Sequence, residues 1–131
     1  MTGDSWIVIR RDTLKVKSYK DLNVWQKGLE IVEKIYNLTK TFPRYEVYGI
    51  ASQMQRSAIS IPSNIAEGFM RQHNKEYVQF LYVALGSCAE LETQLIISQK
   101  MNYVKQESFN YLQEIIEHES RMLVNLIKAL K

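Results

Sequence analysis

The sequence is poor in the residues that build most metal, redox and nucleotide sites. It has 131 residues with one cysteine, two histidines, two prolines and five glycines. The lone Cys88 excludes an intrachain disulfide and favours a reducing compartment. His73 and His118 are far apart and have no metal-ligand spacing, so no metal is expected. No GxGxxG, GxxxxGK[ST] or GxSxG motif occurs, so the sequence gives no support for a glycine-rich nucleotide-binding loop or a hydrolase elbow, and no cofactor is expected.

Long apolar runs are also missing. No stretch approaches the roughly 20 apolar residues that cross a bilayer. The first residues, MTGDSWIVIRRDTLK, place acids before the short apolar run and bases after it, the reverse of a secretory signal. With 46% hydrophobic and 24% charged residues, the composition is that of one globular domain. We expect a soluble, cytoplasmic protein that makes no membrane contact.

Positive charge is concentrated at the N-terminus. Residues 1–20 contain five bases and two acids, whereas residues 21–131 contain twelve of each. Lys and Arg side chains that contact phosphates supply most non-specific affinity for nucleic acid. The arm bases are therefore candidate nucleic-acid contacts, although a solvated tail would show the same pattern: Arg10, Arg11, Lys15, Lys17 and Lys20.

Apolar residues at spacings of three and four predict an all-α protein. Four amphipathic helices joined by short links can bury their apolar stripes as an antiparallel up-down-up-down four-helix bundle. In the last helix, Glu119 is the one seam position that breaks the apolar pattern. We predict an arm at 1–18 and a bundle at 19–131, with helices at about 19–41, 46–71, 75–100 and 107–130. A single β-branched strand in the arm would have no partner within a helical domain, so the arm is either disordered or paired with another subunit.

Pro62 falls near the middle of the second predicted helix. A proline there removes one backbone hydrogen bond and crowds the preceding turn, at a cost of about 3 kcal/mol. We expect a kinked helix whose carbonyl near Ala58 finds another donor. The alternative is a break at Ser60 with a new helix starting at Pro62, where proline is tolerated.

A ridge of polar side chains runs beside the apolar stripe of this helix, and the third helix has polar positions that can meet it. If the two ridges meet, Arg56 can pair with Glu67 or Glu90, and the amide and hydroxyl groups can bind carbonyls released by Pro62. Buried polar networks often specify how helices register, within or between subunits. We therefore interpret the set as a structural or interface network, with a ligand site, a nucleic-acid contact and catalysis as alternatives: Arg56, Ser60, Asn64, Glu67, Ser87 and Glu90.

These residues lie in a stretch that resembles the bacterial four-helix-bundle proteins encoded within intervening sequences of 23S rRNA genes. The resemblance covers about residues 18–130. It is carried by Phe42-Pro43, Glu46-x-Tyr48-Gly49, Gln53 with Arg56, Ser60-Ile61-Pro62-x-Asn64-Ile65-Ala66-Glu67-Gly68, Glu76-Tyr77, Phe80-Leu81, Gly86-Ser87 and Glu90-Leu91-Glu92-Thr93.

The resemblance implies a four-helix bundle without established enzymatic activity. Such proteins are similar to the accessory variability protein of diversity-generating retroelements, which assembles as a barrel of five bundles and binds nucleic acid and a reverse transcriptase. By that likeness we expect a homo-oligomer, with a pentamer as the expected form. Its expected partners are RNA or DNA and a reverse transcriptase or other protein. Multiple copies of a basic arm would strengthen nucleic-acid binding through multivalency.

The sequence thus predicts a non-enzymatic accessory or scaffold protein associated with nucleic acid. The main alternative is a protein-interaction scaffold that binds no nucleic acid. An enzyme would instead require a solvent-reachable cleft lined by Arg56, Glu67 and Glu90.

Overall fold

The computed structural model describes residues 16–131, and all regular structure within that range is helical. This confirms the predicted all-α class with four helices. They are α1 (Asn23–Thr39), α2 (Ile50–Phe69), α3 (Asn74–Lys100) and α4 (Gln106–Leu130). Short 3₁₀ turns at Tyr19–Asp21 and Arg44–Glu46 precede α1 and α2.

Local capping explains why the first two helices begin later than the apolar pattern predicts. Ser18 caps the first 3₁₀ turn by accepting the Lys20 N–H at 3.1 Å, and the extended backbone of Leu22 separates this turn from α1. Before α2, Gly49 has a non-helical backbone. The Glu46 carboxylate accepts the Ile50 N–H at 3.3 Å and so binds a donor of the first helical turn.

The core is a single apolar cluster to which all four helices contribute. α2 packs against α1 and α3, and α4 packs against α3 and α1. The fully buried aliphatic side chains follow the predicted helical stripes, and burial of each contributes about 1.5–3 kcal/mol. They include Ile31 and Ile35 of α1, Ile61 and Ile65 of α2, Leu81, Leu91 and Leu95 of α3, and Ile116 and Leu123 of α4.

Contacts between the connections tie the ends of the helices together. Tyr103, between α3 and α4, donates its hydroxyl to Glu46 Oε2 at 2.8 Å and packs its ring 5.2 Å from that of Phe42. The α1–α2 connection therefore lies beside the α3–α4 connection. At the start of the described chain, the ring of Tyr19 lies 6.4 Å from that of Phe69, the last residue of α2.

By length and composition alone, α3 would be able to cross a membrane. The interior helix of a soluble bundle meets the same criteria, and α3 packs against both α2 and α4. Ten of its 27 residues are buried in these contacts, polar Ser87, Gln94 and Ser98 among them.

Gly68 allows the closest approach between α2 and α3. A Cβ atom at this position would lie 2.7 Å from Phe80 Cβ and 3.2 Å from the Tyr77 carbonyl oxygen. Neither neighbour is the end of a flexible side chain, so a larger residue would push the helices apart. At Gly86, on the exposed face of α3, an added Cβ atom would have no neighbour within 4 Å in the described part of the chain.

These two glycines form a matched pair for mutation. We expect Gly68→Ala to lower the free energy of unfolding by about 1–2 kcal/mol through overpacking. Gly86→Ala should instead raise it by up to about 1 kcal/mol, because alanine favours the helix and nothing obstructs its methyl group. Urea denaturation of both variants measures the two changes, and equal effects at the two positions would contradict the close approach.

Candidate functional site

Pro62 lies inside a helix that runs unbroken from Ile50 to Phe69, so the predicted alternative of a break at Ser60 is not observed. The proline is buried and faces α1 at Gly28. A Cβ atom on Gly28 would lie 3.2 Å from Pro62 Cβ and 3.3 Å from Pro62 Cδ. The missing side chain of the glycine therefore makes room for the proline ring between α1 and α2.

The uncharged members of the polar ridge meet at the interface of α2 and α3. Ser87 donates its hydroxyl to Ser60 Oγ at 2.8 Å. Asn64 donates its amide to the Ser60 carbonyl at 2.8 Å and to Ser60 Oγ at 2.9 Å. Asn64 thus binds the carbonyl one turn before its own position rather than that of Ala58, which loses its helical donor at Pro62. The cluster joins two helices through side chains and needs no ligand to complete it.

The charged members of the ridge lie in solvent and do not gather. Glu67 pairs at 2.9 Å with Arg71, four residues further along the chain and just beyond the end of α2, instead of with Arg56. The Arg71 guanidinium also lies 4.7 Å from the centre of the Phe80 ring. Arg56 and Glu90 are exposed, and neither forms an ion pair within residues 16–131.

Only part of the basic arm falls in the described structure. Lys17 and Lys20 are exposed and form no ion pair with any described residue. Arg10, Arg11 and Lys15 lie outside the described residues. The candidate contacts that can be located are therefore free to meet an anionic partner.

Cys88 has the environment of a packing residue. It is buried, and burial raises the pKa of its thiol to about 12. The Glu119 and Glu92 carboxylates raise this pKa further, while a hydrogen bond with Ser120 opposes the shift. A thiol with so high a pKa stays protonated at neutral pH and is a poor nucleophile. No group of three or more His, Cys, Asp or Glu residues that would hold a metal occurs in the described part of the chain.

Glu119 is the most unusual ionisable group in the core. It has no exposed surface, and neither carboxylate oxygen has a hydrogen-bond partner among the described residues. A Cβ atom on Gly28 would lie 3.4 Å from Glu119 Oε2, so the carboxyl group faces α1 beside the Pro62 ring. The sequence showed Glu119 only as a break in an apolar seam. Glu119 of α4 lies next to Gly28 of α1 and near Pro62 of α2. No sequence pattern within one helix could have predicted that these three residues come together.

Burial raises the pKa of Glu119 to about 8, while the positive charge of Lys27 acts in the opposite direction. Lys27 lies on α1 and also forms an ion pair with Glu30 at 3.4 Å. Its charge therefore cancels only part of the rise in the pKa of Glu119 that burial causes. An isolated buried carboxylate is costly, and a carboxyl in such a place takes up a proton to become neutral. Glu119 is therefore a source of pH-dependent stability.

Comparisons with known proteins agree with the fold. The family model described as 23S rRNA-intervening sequence protein matches residues 20–125. A crystal structure of a Bacteroides thetaiotaomicron protein of unknown function, from the S23 ribosomal protein family, superposes with a TM-score of 0.75. It is 26% identical to this chain, and the match covers 80% of this chain and 98% of that one. No curated protein matches.

The buried carboxyl group makes stability depend on pH. The folded-state pKa of Glu119 is about 8, above an unfolded value of about 4.3, so the folded state binds this proton more tightly. Its stabilising effect is complete below about pH 4 and is lost as the pH rises to about 8. We expect Glu119→Gln, which keeps the group neutral, to raise the free energy of unfolding at about pH 8, by on the order of 5 kcal/mol.

Urea denaturation between about pH 5 and pH 9 measures this dependence. Glu114→Gln removes an exposed carboxylate from the same helix and serves as the matched control. The wild type and the control should lose stability with rising pH, and Glu119→Gln should lose much less. Parallel curves for all three proteins would rule out Glu119 as the source.

Proposed function

Because the chain belongs to the 23S rRNA-intervening sequence protein family, we propose that it is a non-enzymatic, homo-oligomeric accessory protein that binds nucleic acid. Its expected assembly is a pentamer acting in the cytoplasm, with no membrane contact. A reverse transcriptase or another protein is the proposed further partner. The polar network around Pro62 serves the architecture of this assembly.

The observation that carries the nucleic-acid proposal is the location of the charge. The excess of bases lies in residues 1–20, and the remainder of the chain is neutral overall. Lys17 and Lys20 are exposed without ion pairs to described residues. An oligomer would carry one such arm per copy, and linked weak sites raise the overall affinity.

We propose an antiparallel up-down-up-down arrangement of the helices. The contact of Tyr103 with Glu46 supports it, because it joins the first and third connections at one end. At the other end, Tyr19 packs near Phe69, and Lys131 donates to the Tyr82 hydroxyl at 3.2 Å. Pro62 remains the expected position of a kink in α2, since proline is the commonest cause of one.

The exposure of Arg56, Glu67 and Glu90 supports a function other than catalysis. All three side chains are exposed, and the Glu67 carboxylate is paired with Arg71. A general acid or base works in a pocket that shifts its pKa and positions its substrate. Groups spread over an open surface lack both features.

A scaffold without nucleic-acid binding is the second candidate, and an apolar groove between α1 and α2 favours it. The groove has a volume of about 290 Å³, and none of the described residues that line it is charged. Leu29 and Ile59 are 44% and 42% exposed at its rim. Apolar surface depleted of charge is typical of the centre of a protein interface. Within the proposed homo-oligomer, a second copy of the chain is the occupant that this groove would take.

Salt dependence tests the role of the arm. We expect a labelled structured RNA to bind the full-length protein with an affinity that falls steeply as the salt concentration rises. Changing the five arm bases to glutamine should weaken binding and flatten the slope of log K against log salt by roughly 0.7–0.9 per lost phosphate contact. A matched control changes five exposed bases of the body instead: Lys40, Arg44, Lys75, Lys100 and Lys128.

An equal loss in both variants would show a response to net charge and would contradict the arm assignment. If no RNA or duplex DNA binds at low salt while the protein remains oligomeric, the scaffold function is supported instead.

Light scattering tests the oligomer and the groove together. We expect particles of about five copies of the 15.4 kDa chain. Ile59→Glu should shift the mass toward the monomer, because it would bury an unpaired charge in the groove. Val83→Glu, at an aliphatic α3 position that is 51% exposed, is the control. If the mass is unchanged in both variants, the groove is not the surface through which the chain self-associates.

A further inference from the structure

A second and larger cavity lies between α1, the α3–α4 connection and the start of α4. Its volume is about 710 Å³, within the range of about 300–1,000 Å³ typical of small-molecule sites. It is lined from three separate parts of the chain: Lys34 and Asn37 of α1, Asn102 and Lys105 of the connection, and Ser108 and Tyr111 of α4.

The polar side chains that converge on this cavity have few partners of their own. Within residues 16–131, Lys34 and Lys105 form no ion pair, and no hydrogen bond involves the side chains of Asn37, Asn102 or Ser108. Two cationic groups, two amides and a hydroxyl are thus available to one ligand. Lysine and amide groups together can bind the oxygens of a phosphate and the polar edge of a base.

The electrostatics of the cavity favour an anion. Within residues 16–131, no acidic residue lines it. The carboxylates of two neighbouring acids are engaged by tyrosines of the lining, since Tyr103 donates to Glu46 at 2.8 Å and Tyr111 to Glu30 at 3.4 Å. α4 begins here without a side-chain cap, so the first-turn N–H groups of the helix add a positive field, which the carboxylate of Glu107 in the same turn opposes in part.

Tyr111 adds a surface suited to a planar ring. It is 44% exposed, and the Lys34 ammonium lies 5.8 Å from the centre of its ring. A base stacked on the tyrosine would therefore place its attached phosphate within reach of lysine. Stacking of bases on aromatic side chains, combined with cationic groups, is the usual way in which unpaired nucleotides are bound.

We propose that this cavity is a nucleotide site, which binds the phosphate through Lys34 and Lys105 and the base against Tyr111. The ligand is a free nucleotide or an unpaired nucleotide of an RNA strand, since both present the same chemistry. The inference rests on the proposed nucleic-acid role for its biological context, but none of its residues belongs to the arm.

Isothermal titration calorimetry of the full-length chain tests the site. The probes are 5′-AMP, a short oligoadenylate and inorganic phosphate. Lys34→Gln and Lys105→Gln should each raise the dissociation constant for AMP about tenfold or more, because each removes a charge-assisted hydrogen bond. Lys128→Gln makes the same charge change on an exposed residue of α4 outside the cavity lining and should leave binding unchanged. Tyr111→Leu should weaken the binding of AMP without affecting the binding of inorganic phosphate.

The results separate this site from the arm. The variant with five neutralised arm bases should still bind AMP with the wild-type affinity, whatever happens to its binding of structured RNA. In the variant with neutralised arm bases, tighter binding of oligoadenylate than of AMP identifies the RNA strand as the source, and the reverse identifies the free nucleotide. Any of three results would overturn the proposed nucleotide site. They are no binding of AMP, the same affinity for AMP in the lysine variants as in the wild type, and the same affinity for AMP as for inorganic phosphate.

Discussion

The contact between Gly28 and the Pro62 ring sets how α1 packs on α2, and the surrounding core depends on it. Pro62 cannot donate the backbone hydrogen bond of a helix interior, yet α2 continues through it from Ile50 to Phe69. The Pro62 ring is buried against Gly28 of α1, which has no side chain and so leaves space for the ring. Packing in the tertiary structure thus compensates for an unfavourable residue in the helix.

This contact also determines the environment of Glu119. Its carboxyl group lies beside the same Gly28, surrounded by helices that offer it no hydrogen-bond donor among the described residues. An apolar residue would fit the seam of α4 better. The core therefore carries an ionisable group whose charge changes near neutral pH, which couples the stability of the bundle to its protonation.

Polar residues in this protein have two separate uses. Ser60, Asn64 and Ser87 bond with one another where α2 meets α3, and they help to set the register of these helices. Around the cavity, by contrast, Lys34 and Lys105 form no ion pair with any described residue, and the side chains of Asn37, Asn102 and Ser108 form no hydrogen bond there. The first set is satisfied internally and serves the fold, while the second is available to a ligand.

The sequence by itself determined the helices and the family. Apolar residues at helical spacing predicted the all-α class, because a stripe that must be buried repeats at the period of the helix. The motif around Pro62 was distinctive enough for the resemblance to the intervening-sequence proteins, which the match over residues 20–125 confirms. The first two helices begin about four residues later than predicted, since 3₁₀ turns occupy Tyr19–Asp21 and Arg44–Glu46.

Only the tertiary structure decided which polar residues meet. Arg56 and Glu67 share the helical spacing of Ser60 and Asn64 on α2, and Glu90 lies on α3 near Ser87. The charged groups nevertheless lie in solvent, and the small ones lie in the interface. Periodicity defines a face of a helix, but the rotation and separation of neighbouring helices decide how much of that face is covered. For the same reason, the sequence alone could not predict that Gly28 lies next to Glu119 or that a cavity forms near Lys34. Their residues come from distant segments that only folding brings together.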